Sequence, residues 1–405
     1  MNILQLTSYN IPDSTTNLAN GIARFVVQLG EYFIHQHHDA CFLGYIEGKY
    51  DVTIAHQYSD IIKLDYNLDK KGFHNFLIDN KIDAIQINFS DPKSLVLAPP
   101  ICLVAHQENV KVVFCLHFMP SYEGMPYCTL ENVWYNLFHQ RPFLNKLKKW
   151  LIRISQPLSG RYCMQHLQQS YDNLYQACDK VVLFSEPYID KFNQITHSKD
   201  KTKFTIIPNP LSFNEFLPSN LVRGKKHEVI MVGRIQETQK RVSMSLKIWR
   251  QIERISALDD WTFTLIGNGE DEDFLHWLAK RYQLKRVHFE GRQDPRPYYE
   301  RAAIFISTSG YEGWPMVLME AMPMGCCCLS FDSYDAIHDI IDDGYNGLII
   351  SDNDINGYAK CLSELMLNEE KRITMSINAI ESSHRFSMEN IGERWRNLFV
   401  ELAKN

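Results

Sequence analysis

The stretch from Ala303 to Gly325, AIFISTSGYEGWPMVLMEAMPMG, admits few structures. Ile304 to Ser307 is short and apolar, the pattern of a strand buried on both faces of a parallel sheet. Ser309, Gly310 and Gly313 then make a loop. Met316 to Met322 consists largely of good helix formers. Pro315 is expected at the first helical position, where its missing N–H costs nothing, and Pro323 with Gly325 marks the stop. Strand, loop and helix in this order are the unit from which open α/β sheets are built. The loop at the carboxyl end of such a strand is where those sheets take up anionic ligands. The backbone of Gly313, Trp314, Pro315 and Met316 is therefore expected to face a bound anion. Glu312, on the loop, is placed to accept hydroxyl protons from a neutral polyol part, and Glu320, on the helix, to grip a second diol.

The alternation extends along the whole chain. Asn2–Thr7, Asp83–Asn88, Val110–Leu116 and Lys180–Phe184 read as strands, separated by helical patterns. In the first of these, Phe25, Leu29 and Phe33 recur every fourth residue over Ile22–Gln36. Prolines 208, 210 and 218 with the polar run LPSNLVRGKKH look like a linker. A second series follows: Glu228–Val232, Trp261–Ile266 closed by Gly267-Asn268-Gly269, Val287–Gly291 and Cys326–Phe331. Helices at Ile355–Leu367 and Met388–Ala403 close the chain. With 405 residues, too many for one ordinary core, the reading is two α/β domains with parallel sheets, residues 1–208 and 209–386, and a terminal helix over 387–405.

After the strand Glu228–Val232, Gly233 turns the chain, and Arg234 and Lys240 follow six residues apart. Two such cations at a strand's carboxyl end can neutralise a pyrophosphate, and Arg241 adjoins them. Thr238-Gln239 reads as a polar, mobile approach to Lys240. The Glu-x7-Glu spacing of EGWPMVLMEAMPMG, together with the GR-x5-K spacing, resembles the signature of retaining family-4 glycosyltransferases. The resemblance covers nearly the whole chain, specifically in the second half and loosely in the first. It implies the GT-B fold: two Rossmann-like domains whose parallel sheets face a central cleft, with the last helix crossing back to the first domain. It further implies transfer of a sugar from a nucleotide-sugar donor with retention at the anomeric carbon. By the same resemblance, Arg234 and Lys240 contact the donor diphosphate, Gly233 and Gly21 lie beside the phosphates, and Arg292 lies beside the base. His117, at the end of the strand Val110–Leu116, faces the reacting sugar. The family has two adjacent glycines where this chain has Asn20-Gly21.

Other residues bear on compartment and partners. The net charge of −6 argues against nucleic acid as the main partner. Ten cysteines without framework spacing, three of them consecutive at 326–328, fit reduced thiols in a cytoplasmic compartment. No run reaches the roughly 18 apolar residues of a membrane span, and the start MNILQLTSYN lacks a secretory pattern. The segment 141–161 carries Arg141, Lys146, Lys148, Lys149, Arg153 and Arg161 among apolar residues and no acid. That composition suits either an anionic membrane surface, which would make the protein peripheral, or a solvated helix face. The histidines of HQHHD read as solvated helix-end residues rather than a metal site. Asp271-Glu272-Asp273, Asp342-Asp343 and Asp352-Asn353-Asp354 fall at helix starts, turns or loops, where acids are favoured anyway. The expectation is therefore catalysis without metal or cofactor. The donor reads as UDP-linked, with GDP-mannose as the alternative, and the acceptor as a saccharide or lipid-linked saccharide in surface polysaccharide assembly. Two competing classes stay open: a glycoside hydrolase using Glu312 and Glu320, and a nucleotide-binding or phosphorylase-like protein on the same architecture.

Overall fold

The computed structural model describes residues 1–8, 21–46, 57–89, 92–120, 135, 168–196 and 200–404; Asn20 and the basic segment 141–161 lie outside them. The described residues fall into two units. The first takes those within Met1–Ser121, Cys163–Ser212 and Arg385–Asn405; the second takes those within Phe213–His384, joined by Tyr135.

The first unit is a seven-stranded sheet of order β3-β2-β1-β4-β5-β6-β7. Its strands are β1 (Asn2–Thr7), β2 (Ala40–Tyr45), β3 (Ile61–Lys63), β4 (Ala84–Asn88), β5 (Lys111–Cys115), β6 (Lys180–Leu183) and β7 (Phe204–Ile206). Every neighbouring pair is parallel. Parallel pairing needs crossovers and buries both faces, which is why β4 is buried along its whole length and apolar except at Gln86 and Asn88. The helix Gly21–His37 puts Phe25, Leu29 and Phe33 into the core. The terminal helix Met388–Lys404 packs in this same unit, with Ile391, Trp395 and Phe399 buried at the same four-residue spacing. Trp395 meets Phe25 at 5.9 Å and Phe399 meets Phe33 at 6.0 Å between ring centroids. Burying each such ring contributes about 1.5–3 kcal/mol. The close approach of the two helices depends on Gly392, where a Cβ would lie 2.4 Å from the Tyr32 ring.

The second unit is a six-stranded sheet of order β10-β9-β8-β11-β12-β13, again parallel throughout. The strands are β8 (Lys226–Val232), β9 (Thr262–Ile266), β10 (Val287–Phe289), β11 (Ala302–Ser307), β12 (Cys327–Asp332) and β13 (Gly347–Ser351). All six residues of β11 are buried. Cys326, Cys327 and Cys328 are buried free thiols on and beside β12. Trp249, Trp261, Phe263 and Phe274 anchor the core.

Elements absent from the sequence reading include β2, β3, β7 and a helix near the end of the chain. β2 has six residues, the central four buried, and β3 has three. Between the two closing helices stands a third, Glu369–Ser383, begun afresh when the Asn368 side chain accepts a hydrogen bond from Lys371 N at 3.0 Å.

Both sheets reverse their winding once. In the first unit the chain leaves β1 for β2 and β3, then returns to β4 on β1's other side; in the second it leaves β8 for β9 and β10, then returns to β11. The carboxyl ends of β1/β4 and β8/β11 are thus the topological switch points, the places where loops diverge and leave a crevice.

Candidate active site

At the β8/β11 switch point, backbone conformation comes first. Gly233 ends β8 with φ 149°, and Gly267 ends β9 with φ 140°. A Cβ on Gly267 would sit 1.9 Å from the Gly233 carbonyl oxygen, and one on Gly269 2.1 Å from that of Ile235. The two loops therefore meet main chain to main chain, sealed by Gly233 N–H to Ile266 O (3.0 Å) and Ile235 N–H to Asn268 O (2.9 Å). The Gly267-Asn268-Gly269 turn is a packing device.

Lys240 folds its stem against Gly233, where a Cβ would lie 3.5 Å from its Cε. Its Nζ donates to Glu312 Oε1 at 2.5 Å, and the two side chains are only 13% and 9% exposed. Gln239 Nε2 donates to Glu312 Oε2 at 3.1 Å and to Tyr311 O at 3.3 Å. Gly310 N–H returns a bond to Gln239 O at 2.7 Å. The Thr308 hydroxyl donates to Lys240 O at 2.8 Å. Gln239 is thus one turn of a short helix, Glu237–Lys240, tied to the loop after β11, and the expected mobile approach is corrected to a fastened one. Glu237, in the same turn, is buried and accepts from Ser243 N and Ser243 Oγ, capping the next helix. Burial pushes its carboxyl up to about 7.

The helix after β11 spans Met316–Ala321, and Pro315 stands before it as the cap, one place earlier than expected. Its ψ of 87° is non-helical, and its carbonyl accepts from Leu318 N at 2.9 Å. Glu320 is buried, with Oε2 accepting the Tyr299 hydroxyl at 2.9 Å. Trp314 is buried, while Gly313 and Met316 are half-buried. Arg234 and Arg292 are exposed and have no partner among the described residues.

The first unit's switch point is built differently. His117, just past β5, is buried, and its Nε2 lies 3.0 Å from Asn88 Oδ1 at the end of β4. Phe25 and Phe184 present edges to its ring at 5.3 and 5.5 Å. Burial drives its pKa down to about 3, so the imidazole is neutral at physiological pH. His117 Nδ1, Asn88 Nδ2, Ser185 Oγ (past β6) and Ser8 Oγ (past β1) are buried without a hydrogen-bond partner among the described residues. Each such atom left unmet costs about 1–3 kcal/mol. The row lies along the carboxyl edge of adjacent strands, where a neutral hydroxyl-bearing ligand would satisfy it. Gly21 opens the helix Gly21–His37 in this unit.

Four of the acids in the Asp271, Asp342 and Asp352 groups are engaged within the protein. Asp271 accepts from Glu237 N at 2.8 Å, Asp343 from Ile349 N at 2.9 Å and Asp354 from Gly357 N at 2.9 Å, while Asp352 pairs with Arg241 at 2.7 Å. His37 pairs with Glu393 at 2.7 Å. Among the described residues no three His, Cys, Asp or Glu side chains gather as ligands for a metal ion.

Of the residues expected in a site, the structure brings Gly233, Lys240 and Glu312 into contact, and sets Glu320 behind them on the following helix. Sequence reasoning misread Gln239 as mobile and missed Thr308 and Tyr299. Each acts through a neighbour and is an ordinary residue type in an ordinary place; only adjacence to Lys240 and to the strand–loop–helix unit marked the first two.

Residues 212–382 match the family model for glycosyl transferases group 1. A Haemophilus influenzae protein named as an uncharacterized glycosyltransferase is 30% identical over 226 residues, 55% of this chain and 61% of that protein. A Campylobacter jejuni α-1,4-N-acetyl-D-galactosaminyltransferase, named for an undecaprenol diphosphate-linked GalNAc–GalNAc–diNAcBac saccharide, is 28% identical over 230 residues, 56% of this chain and 62% of that protein. The chain thus spans about three fifths of the length of these two relatives. Among solved structures, Anabaena HepE in complex with UDP aligns over 99% of this chain and 100% of its own, with a TM-score of 0.71 at 16% identity. The apo lipopolysaccharide outer core galactosyltransferase WaaB aligns over 99% of both chains, with a TM-score of 0.66 at 16% identity. The fold is GT-B.

Proposed function

We propose that this chain, whose residues 212–382 match the glycosyl transferases group 1 family model, is a glycosyltransferase that moves a sugar from a nucleotide-sugar donor to a saccharide or lipid-linked saccharide in surface polysaccharide assembly. The observation that carries the reading is the Lys240–Glu312 pair at the β8/β11 switch point. Breaking the anomeric bond leaves negative charge on the departing diphosphate and positive charge on the sugar. The Lys240 ammonium has three N–H donors and spends one on Glu312, so two are available to phosphate oxygens. Arg234, exposed on the same loop, supplies a second cation. Glu312 holds the sugar, Glu320 the ribose end, and Gly233, Gly313, Trp314, Pro315, Met316 and Arg292 line the donor site. Anomeric retention and independence of metal belong to the same reading, the cations doing a divalent ion's work.

In the first unit the neutral edge of His117 and Asn88, with Gly21, suits a hydroxyl-bearing ligand. UDP is the favoured nucleotide, supported by HepE having been solved with UDP and with UDP-glucose. The Campylobacter relative's name supports an undecaprenol-linked class of acceptor. Among the described residues no helix is long and apolar enough to cross a membrane. The reading places the protein in the cytoplasm, peripheral on the membrane through 141–161. The glycosidase alternative loses ground because Glu312 is engaged by an ammonium and Glu320 by a buried phenol.

The test is incubation with UDP-hexoses, UDP-N-acetylhexosamines and GDP-mannose, with acceptor, while release of nucleoside diphosphate is followed with and without chelator. Release from one UDP-sugar, undiminished by chelator, is expected. Silence across the panel, with no thermal shift from UDP or GDP, would refute the assignment; chelator-sensitive release would refute the metal-independent part.

A further inference from the structure

Arg241, beside Lys240, looks by sequence like a third cation for the diphosphate. Its surroundings say otherwise. The side chain is 4% exposed. Its Nε donates to Thr308 O at 2.9 Å and its Nη2 to Ser309 O at 2.9 Å, both on the loop after β11. Nη2 also reaches Asp352 Oδ1 at 2.7 Å and Nη1 reaches Asn353 Oδ1 at 3.2 Å, in the turn after β13. The guanidinium lies over the Phe331 ring, 5.4 Å from its centroid. Its charge is met by a carboxylate and by carbonyl dipoles beneath the loop.

The backbone explains how neighbours come to point to opposite tasks. Arg241 has φ 47° and ψ 43°, the left-handed region that a side-chain-bearing residue adopts at a cost. That single residue ends the turn Glu237–Lys240 and starts the helix Val242–Ile252. The reversal leaves Lys240 against Gly233 and Glu312 while Arg241 runs under Thr308 and Ser309. Gly310 completes the fit, since a Cβ there would lie 3.1 Å from Arg241 Nε.

We propose that Arg241 is a positioning residue for the transfer reaction. From below, its planar fork clamps the loop that carries Glu312, and so sets the Lys240–Glu312 spacing without touching the substrate. A fork that binds two successive carbonyls and a carboxylate is not replaced by a lysine's point charge. The inference rests on the glycosyltransferase reading above.

The test compares Arg241→Ala, Arg241→Lys and Asp352→Asn with wild type, measuring kcat and KM for the nucleotide sugar, thermal stability, and rescue by guanidinium at non-denaturing concentration. Arg241→Ala is expected to lower kcat on the order of a hundred-fold, the scale of a small displacement at reacting groups. Added guanidinium should restore part of it, whereas Lys240→Ala should not be rescued. Arg241→Lys should stay well below wild type, and Asp352→Asn should fall less, in the same direction. If Arg241→Ala does not fold, Arg241→Lys and Asp352→Asn decide the matter. Wild-type kcat and KM in those two variants, with Lys240→Ala inactive, would overturn the inference and leave the function standing. A kcat loss in Arg241→Ala matched only by lower stability, without rescue, would also overturn it. A wild-type chain that turned over no nucleotide sugar would overturn both.

Discussion

The two switch points share a topology and differ in chemistry. At β8/β11 the groups are charged and already matched: Lys240 with Glu312, Arg241 with Asp352. At β1/β4 the groups are neutral and, among the described residues, unmet: His117 Nδ1, Asn88 Nδ2, Ser185 Oγ and Ser8 Oγ. A parallel sheet supplies the crevice in both cases. What the crevice is for is written in whether its polar atoms balance one another or wait for a ligand. A diphosphate carries charge and calls for cations held in place beforehand; a sugar carries hydroxyls and calls for neutral donors and acceptors.

The sharpest way to break that contrast is to remove the charges. Lys240→Ala and Glu312→Ala should each lower nucleoside diphosphate release by about two orders of magnitude, the usual loss of one electrostatic stabiliser. Either also strands a nearly buried partner, so melting temperatures should be recorded alongside. Rates equal to wild type would leave the second crevice without its assigned task. Glu320→Ala should act more on KM for the nucleotide sugar than on kcat.

Next in size is the backbone seam. Gly267→Ala combines a φ of 140° with a clash against the Gly233 carbonyl and should cost about 3 kcal/mol or more in the second unit. Chemical denaturation followed by tryptophan fluorescence would check this, since Trp249 and Trp261 lie in that core.

Acidity separates the units by sign. His117 is depressed to about 3 from 6.5, so between those values the unfolded chain binds the more protons, and stability rises with pH. Glu237 is raised to about 7 from 4.5, so between those values the folded chain binds the more protons, and stability falls as pH rises. Each slope is at most about 1.4 kcal/mol per pH unit. His117→Asn should flatten the first trend and Glu237→Gln the second, both read from melting temperatures across pH 4–8. Identical pH curves for both variants and wild type would show that neither group stays buried in solution. Smallest is the expectation that Asn88→Ala lowers turnover several-fold without changing the shape of its pH profile over pH 5–8, because His117 does not titrate there.

The contrast also explains what could be read in advance. The β11 unit was legible because an apolar strand, a glycine loop and a helix fall within a few turns of sequence, and the Gly233–Lys240 spacing is equally local. β3 was not, because a three-residue strand gains its identity from the neighbour it pairs with. Tyr299's hold on Glu320 and Arg241's reach to Asp352 join residues far apart in sequence, and no local pattern announces such a partner. The role of Thr238-Gln239 was misjudged for a related reason: polarity suggests mobility only until the carbonyls and carboxylates that tether Gln239 come into view.

The glycine seam limits how this protein can diversify. Where two loops press peptide against peptide, no side chain exists to be exchanged, and Gly267 and Gly269 have no room for one. Randomising both loops and selecting for active clones should return glycine at those two positions almost without exception. New nucleotide preferences would then have to arise at the outer rim, around a junction that is closed to tinkering.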